Sequence, residues 1–232
     1  MKNFVVCLKW GDKYNSNYVN TLKNMVDRNT TVDYEFVCFT DNGNGIDPGI
    51  RVLPLPKLPI QGWWYKPWFF SPDLPINGNI LYFDLDVIIF KNIDHLWTYE
   101  PDRFVICRDF NRHLRPDWKK MNSSVWRLKS GTNHHVWEDF KDQNFMAKNR
   151  MHGDQDWIYS KITKDFCFWP DEWIQSYKWE MRGKPEMTRI NGVRNFAIPG
   201  EPKIKDQTSV AVFHGEPHPH NCVDPWCKEN WY

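Results

Sequence analysis

The chain has 232 residues, enough for one domain with a sizeable core and short for two. Its 30 basic and 29 acidic residues leave a net charge of +1, which provides no long-range positive field for nucleic acid or a membrane surface. Hydrophobic residues make up 41% and describe a globular chain, while 14 Trp help raise the aromatic share to 16%. Most of that tryptophan is expected in the core, although a flat indole face also suits the apolar C–H face of a sugar ring.

No segment is long and apolar enough to span a bilayer. The apolar run after Asn3 is only five residues, stops at Lys9 and lacks a small-residue cleavage site, so it reads as a first strand and the protein as cytoplasmic. Three of the six cysteines, Cys7, Cys38 and Cys107, fall inside expected strands, where a reduced thiol behaves as a small hydrophobe. Cys222 and Cys227 are too widely spaced for a zinc-ribbon pair.

Taken in chain order, the first strand is expected over 4–9. Tyr18, Leu22, Met25 and Val26 recur at helical spacing and predict an amphipathic helix over 17–29, capped by Asn17. A second strand over 34–40 ends at the turn-forming Asp41-Asn42-Gly43-Asn44-Gly45, and a third covers 51–55. Gly62–Phe70 reads as a short aromatic helix, Asn79–Phe83 as a fourth strand, and 87–90 as extended chain beyond it. Further strands are expected over Phe104–Arg108, 123–128 and 210–213, with helices over 132–140 and 154–162. The stretch 173–202 reads as a long functional loop. Strand–helix alternation predicts an α/β fold, a mostly parallel central sheet flanked by helices in a single domain over 1–232, with an irregular tail from about 214.

The strongest local signal is Ile80-Leu81-Tyr82-Phe83-Asp84-Leu85-Asp86-Val87-Ile88-Ile89-Phe90. Residues i and i+2 of extended backbone project to one side, so Asp84 and Asp86 can converge on a point. Two like charges in apolar surroundings are costly unless a cation lies between them, and hard oxygen ligands suit Mn²⁺ or Mg²⁺ with substrate phosphates. The plainer reading is a pair of turn aspartates closing a strand. The chain has no P-loop and no Gly-x-Gly-x-x-Gly, so a bound diphosphate would rely on the metal and on side chains such as Lys66 or a histidine.

Four segments, in order, resemble the GT-A glycosyltransferases, and more narrowly the glycogenin-like retaining enzymes of glycosyltransferase family 8. They are Leu81-Tyr82-Phe83-Asp84-Leu85-Asp86, Asn122-Ser123-Ser124-Val125, His152-Gly153-Asp154-Gln155-Asp156 and His214-Gly215-Glu216-Pro217-His218-Pro219. The resemblance implies a Rossmann-like GT-A domain that moves a hexose, glucose or galactose, from a UDP-sugar to an acceptor hydroxyl with retention. It implies Mn²⁺ on Asp84, Asp86 and His214, with Asp84 also near the ribose. Trp10, Tyr14 and Asp41 would lie near the uracil, and Lys66, Asp109, Asn122 and Ser123 near the donor. Gly215 and His218 would meet the diphosphate, and Asp154 and Gln155 the anomeric carbon. The family places its metal-binding histidine three residues before the glycine, whereas His214 directly precedes Gly215, and its lysine before the proline is His218 here. A nucleotidyltransferase, a carbohydrate-binding protein and a catalytically inactive relative are the competing readings.

Overall fold

The computed structural model describes residues 1–183 and 186–232. A seven-stranded sheet forms its centre. Strand β1 (Asn3–Lys9) runs parallel to β2 (Glu35–Thr40) on one side and to β4 (Asn79–Phe83) on the other, and β3 (Arg51–Pro54) extends the parallel edge beyond β2. Helix α1 (Ser16–Asn29) supplies the crossover between β1 and β2. The chain then leaves the large sheet through β5 (Val87–Ile89) and the short helix α2 (His95–Thr98), and returns in β6 (Phe104–Arg108). Strand β7 (Met121–Lys129) lies antiparallel between β4 and β6, and β8 (Phe166–Phe168) closes the other edge, so the order is β3-β2-β1-β4-β7-β6-β8. Because β7 is reversed, its first residues reach the same edge of the sheet as the last residues of β4.

Two apolar layers cover this sheet, and strand alternation divides them. Val5, Cys7, Phe36, Cys38, Leu81 and Phe83 face α1 and a second sheet. Phe4, Val6, Val37, Phe39, Ile80 and Tyr82 face the 3₁₀ segment Gly62–Phe70, α3 (His135–Asp142) and α4 (Asp154–Lys161). Both faces are dry, so the strands read as nearly continuous apolar runs. The second layer takes Trp64, Trp68, Trp126, Trp137 and Trp157, and Tyr82 stacks on Trp126 at 4.6 Å between ring centroids. Most of the tryptophan is core, as expected.

The smaller sheet has the order β5-β12-β9, with β9 (Ile174–Ser176) parallel and β5 antiparallel to the central β12 (Val210–Val212). The stretch read as a loop over 173–202 is therefore largely ordered. It holds β9, a π-helical turn at Tyr177–Met181, and a hairpin of β10 (Met187–Ile190) and β11 (Val193–Phe196), with 184–185 outside the described residues. Elements of three to five residues are too short for a periodicity to show. Strand β8 escaped for the same reason. Helix α1 begins at Ser16 after Asn15, ahead of the expected Asn17 cap, and α3 starts at His135 rather than 132. Beyond 214 the chain forms a turn at Pro219–Asn221 and helix α5 (Pro225–Asn230), which buries Trp226 and Cys227. All six cysteines are free thiols. No helix among the described residues is long and apolar enough to cross a membrane.

Arg112, 5% exposed, ties the two sheets together. It donates to both Glu180 carboxylate oxygens at 2.8 and 3.0 Å, to Asp171 at 2.9 Å, and to the Ile174 carbonyl at 2.7 Å. Glu180 also accepts from the Ser176 backbone N–H at 2.8 Å. Removing a buried cation from such a set strands its partners. Arg112→Met is expected to cost about 3 kcal/mol in urea unfolding; a loss under about 0.5 kcal/mol would show that the pairings contribute little.

Candidate active site

Strand β4 ends at Phe83, and Asp84-Leu85-Asp86 carries the chain into β5. The backbone turns at Leu85 and Asp86 instead of running straight on, and both carboxylates line one cleft of about 360 Å³. The Asp84 N–H donates to the Ser124 carbonyl at 2.8 Å, and the Phe213 N–H donates to the Asp86 carbonyl at 2.9 Å. One aspartate is thus pinned to β7 of the large sheet. The other is pinned beside β12 of the small one.

Lys66 occupies the centre of the cleft wall and is 4% exposed. Its ammonium lies 2.7 Å from Asp84 Oδ1 and 3.8 Å from Asp154 Oδ2, and donates to the Ser123 carbonyl and hydroxyl at 3.1 Å each. Burial alone would lower its pKa, but the charges of Asp154, Asp84 and Asp86 outweigh that and hold it above the usual lysine value. Asp84 also accepts from the Tyr82 hydroxyl at 2.9 Å. Asp86 accepts from the Tyr14 hydroxyl at 2.9 Å, and burial followed by the Asp84 charge pushes its carboxyl up to about 7. Burial likewise raises Asp154, against the opposing pull of Lys66.

Asp154 opens α4 after Gly153, and Gln155 follows it into the cleft. Gln155 is held in a small amide network, donating to Asp109 Oδ2 at 3.4 Å and accepting from Asn122 at 3.5 Å. Asp109 accepts from Trp118 at 3.0 Å and reaches the cleft only through Gln155. Trp10, Tyr14, Lys66, Asn122, Ser123, Asp154, Gln155, His214 and Gly215 all line the cleft with the aspartate pair. Asp41 does not. Its carboxylate accepts the Gly11 N–H at 3.0 Å and braces the loop that carries Trp10 and Tyr14.

The two histidines meet different partners. His214 Nε2 lies 2.6 Å from the Ser176 hydroxyl, and its ring stacks on Phe110 with Trp179 edge-on. Burial, then the Lys178 charge, lowers it to about 4. His218 instead comes within 3.9 Å of Asp86 through Nδ1, a buried atom with no hydrogen-bond partner. Its pKa is also lowered to about 4, by burial and then by Lys13.

Two cations went unnoticed in the sequence. Lys13 lines the cleft, and its ammonium lies 4.8 Å from the Tyr14 ring centroid. Lys178 donates to the carbonyls of His214 and Glu216 at 2.6 and 3.2 Å. Gly215 has φ +77° and lies so close to it that a Cβ would sit 3.5 Å from the ammonium. Lys13 follows a turn and had no partner to mark it. Lys178 sits in the π-helical turn, inside the stretch with no readable period.

No family model and no curated protein sequence matches the chain. Solved structures do. The galactosyltransferase LgtC in complex with donor and acceptor sugar analogues superposes with TM-score 0.64 at 12% identity, over 97% of this chain and 93% of that one. The glycosyltransferase GlyE of Streptococcus pneumoniae gives 0.66 at 11% identity over 98% of this chain, which spans 59% of GlyE. Mouse xyloside xylosyltransferase 1 gives 0.54 at 12% identity, over 94% and 98%. The chain has the fold these glycosyltransferases share, the GT-A fold.

Removing the lysine from between two carboxylates tests the electrostatics of the cleft. Lys66→Met is expected to lose about 3 kcal/mol of unfolding free energy, and adding Asp154→Asn to recover part of it. Strictly additive losses in this double-mutant cycle would show that the pair is not coupled.

Proposed function

We propose that the protein is a metal-dependent glycosyltransferase that takes a hexose, glucose or galactose, from a UDP-sugar and passes it to an acceptor hydroxyl with retention. The observation that carries this reading is the half-buried Asp84–Asp86 pair facing Lys66 across a cleft at the end of the central strand of a GT-A fold. Open α/β sheets bind their ligands at the carboxyl ends of strands. All cysteines being thiols fits a reducing compartment, and we read the protein as cytoplasmic.

Two half-buried carboxylates beside an orphaned imidazole nitrogen fit a hard divalent cation, Mn²⁺ or Mg²⁺. Among the described residues no three His, Cys, Asp or Glu side chains form a ready-made cage. Such cations routinely take remaining positions from substrate phosphate and water. Asp84 and Asp86 are the ligands in this reading, and the distance to Asp86 favours His218 over His214 as the third. When bound, the cation offsets the charge that grows on a departing diphosphate.

The chain's own groups supply the rest. Lys66, Lys13 and Lys178 line or underlie the cleft and add positive charge on the leaving-group side. Tyr14 and Trp10 offer aromatic surface for a base, with Asp41 fixing their loop. The carbonyl of Gln155 and the carboxyl of Asp154 face the positive charge that develops at an anomeric carbon. Asn122 and Asp109 hold Gln155 in that orientation.

A panel of UDP- and GDP-sugars, assayed with Mn²⁺ and with EDTA, tests the function. Release of UDP from one donor only with Mn²⁺ is expected, and Asp86→Ala should lower it by about 10² or more without shifting the unfolding midpoint. Full turnover in EDTA would contradict the metal role, and Mn²⁺-independent or absent UDP binding would favour a carbohydrate-binding protein. His218→Ala is expected to weaken Mn²⁺ binding about tenfold or more by calorimetry, and His214→Ala less. The reverse order would return the third position to His214.

A further inference from the structure

Of the 14 tryptophans, Trp63 is the most exposed, at 52%, and the only one among the exposed large hydrophobic residues. Its place makes that exposure unusual. It stands in the first turn of the 3₁₀ segment Gly62–Phe70, in which every residue from Trp64 to Phe70 is buried. With about three residues per turn, Trp63 and Lys66 fall on the same side of the segment. An indole left in water one turn from the cleft's central lysine is poorly explained by core packing.

Trp63 lies on the boundary between two cavities. It lines the cleft that holds the aspartate pair, and also a second pocket of about 210 Å³ whose other walls are His152, Gly153, Asp154, Gln155 and Asp156. Asp154 and Gln155 are shared as well, so the second pocket adjoins the cleft at the same two groups. Asp154 is 4% exposed, and its Oδ2 has no hydrogen-bond partner. Gly153 presents bare backbone to the indole, where a Cβ would stand 3.7 Å from the ring nitrogen.

The lining is one flat apolar face ringed by hydrogen-bonding groups. A sugar ring has the matching surface, C–H bonds on one face and hydroxyls around its edge. An acyl chain would leave His152 and Asp156 facing hydrocarbon, and a 210 Å³ pocket is on the scale of a single ring.

We propose that this pocket is the acceptor subsite and that the acceptor is a saccharide, its ring on Trp63 and its edge hydroxyls toward His152 and Asp156. The proposal rests on the donor reading above. One acceptor hydroxyl oxygen bonds to the donor's anomeric carbon as the bond from that carbon to phosphate oxygen breaks. The bonding pair leaves with the diphosphate, which also receives the hydroxyl proton.

The test uses wild-type protein, Trp63→Ala and Trp63→Phe with whichever UDP-sugar the wild type hydrolyses, and lactose, maltose and cellobiose as acceptor probes. At least one disaccharide should be glycosylated. Trp63→Ala should raise its KM about tenfold, by a larger factor than the donor KM, and Trp63→Phe should restore most of the loss. Donor hydrolysis with no transfer to any of the three would overturn the saccharide acceptor while leaving the donor reading standing. An equal rise in donor and acceptor KM would assign Trp63 to the donor side and also overturn it. Absence of donor turnover in the wild type would remove the donor reading, and this inference with it.

Discussion

Three carboxylates share one buried lysine, and much of the molecule serves to make that tolerable. Two like charges about 4 Å apart repel by about 4 kcal/mol at an effective dielectric of about 20. Asp84 and Asp154 meet Lys66 directly, whereas Asp86 is left with a tyrosine hydroxyl and holds its proton up to about 7. The folded chain thus keeps one carboxyl short of positive charge in a cleft walled by low-dielectric side chains. That shortage is a reservoir of affinity for whatever cation arrives with a ligand.

Holding such a cluster requires a stiff frame, and the two sheets provide it from opposite sides. The large sheet delivers Asp84 from the end of β4 and Asn122 and Ser123 from the start of β7. The reversal of β7 makes this possible, since a parallel strand there would bring its far end to the cleft. The small sheet delivers the 213–218 loop from β12. Arg112 joins the halves through Glu180 and Asp171, and Glu180 in turn fixes Ser176, on which His214 rests. A chain of hydrogen bonds thus runs from a buried cation outside the cleft to the loop beside it.

How much of this was legible depended on separation along the chain. The alternating strands β1, β2 and β4 and the helix α1 announce themselves, because each buries a face with a fixed period. The Asp84–Asp86 pair was legible because two charges in an apolar run are dear to bury. Lys66, Asp154 and Gln155 were reached through a resemblance of ordered motifs, and the structure gathers them. The approach of His218 to Asp86 was not available from sequence. It turns on a loop that folds Nδ1 of His218 back toward Asp86, a contact between residues 132 positions apart. Lys178, and the way Asp41 acts, were obscure in the same way. One lies in a turn with no period, and the other supports the cleft through a backbone amide, which leaves no trace in a side-chain pattern.

The junction at Asp84-Leu85-Asp86 has a mechanical meaning beyond its chemistry. The Asp84 backbone belongs by hydrogen bond to the large sheet, and that of Asp86 to the neighbourhood of the small one. Any group that grips both carboxylates also bridges the two sheets across the two peptide bonds on either side of Leu85. Amides of β5 and β12, which flank the cleft, would exchange with solvent more slowly when that bridge is closed.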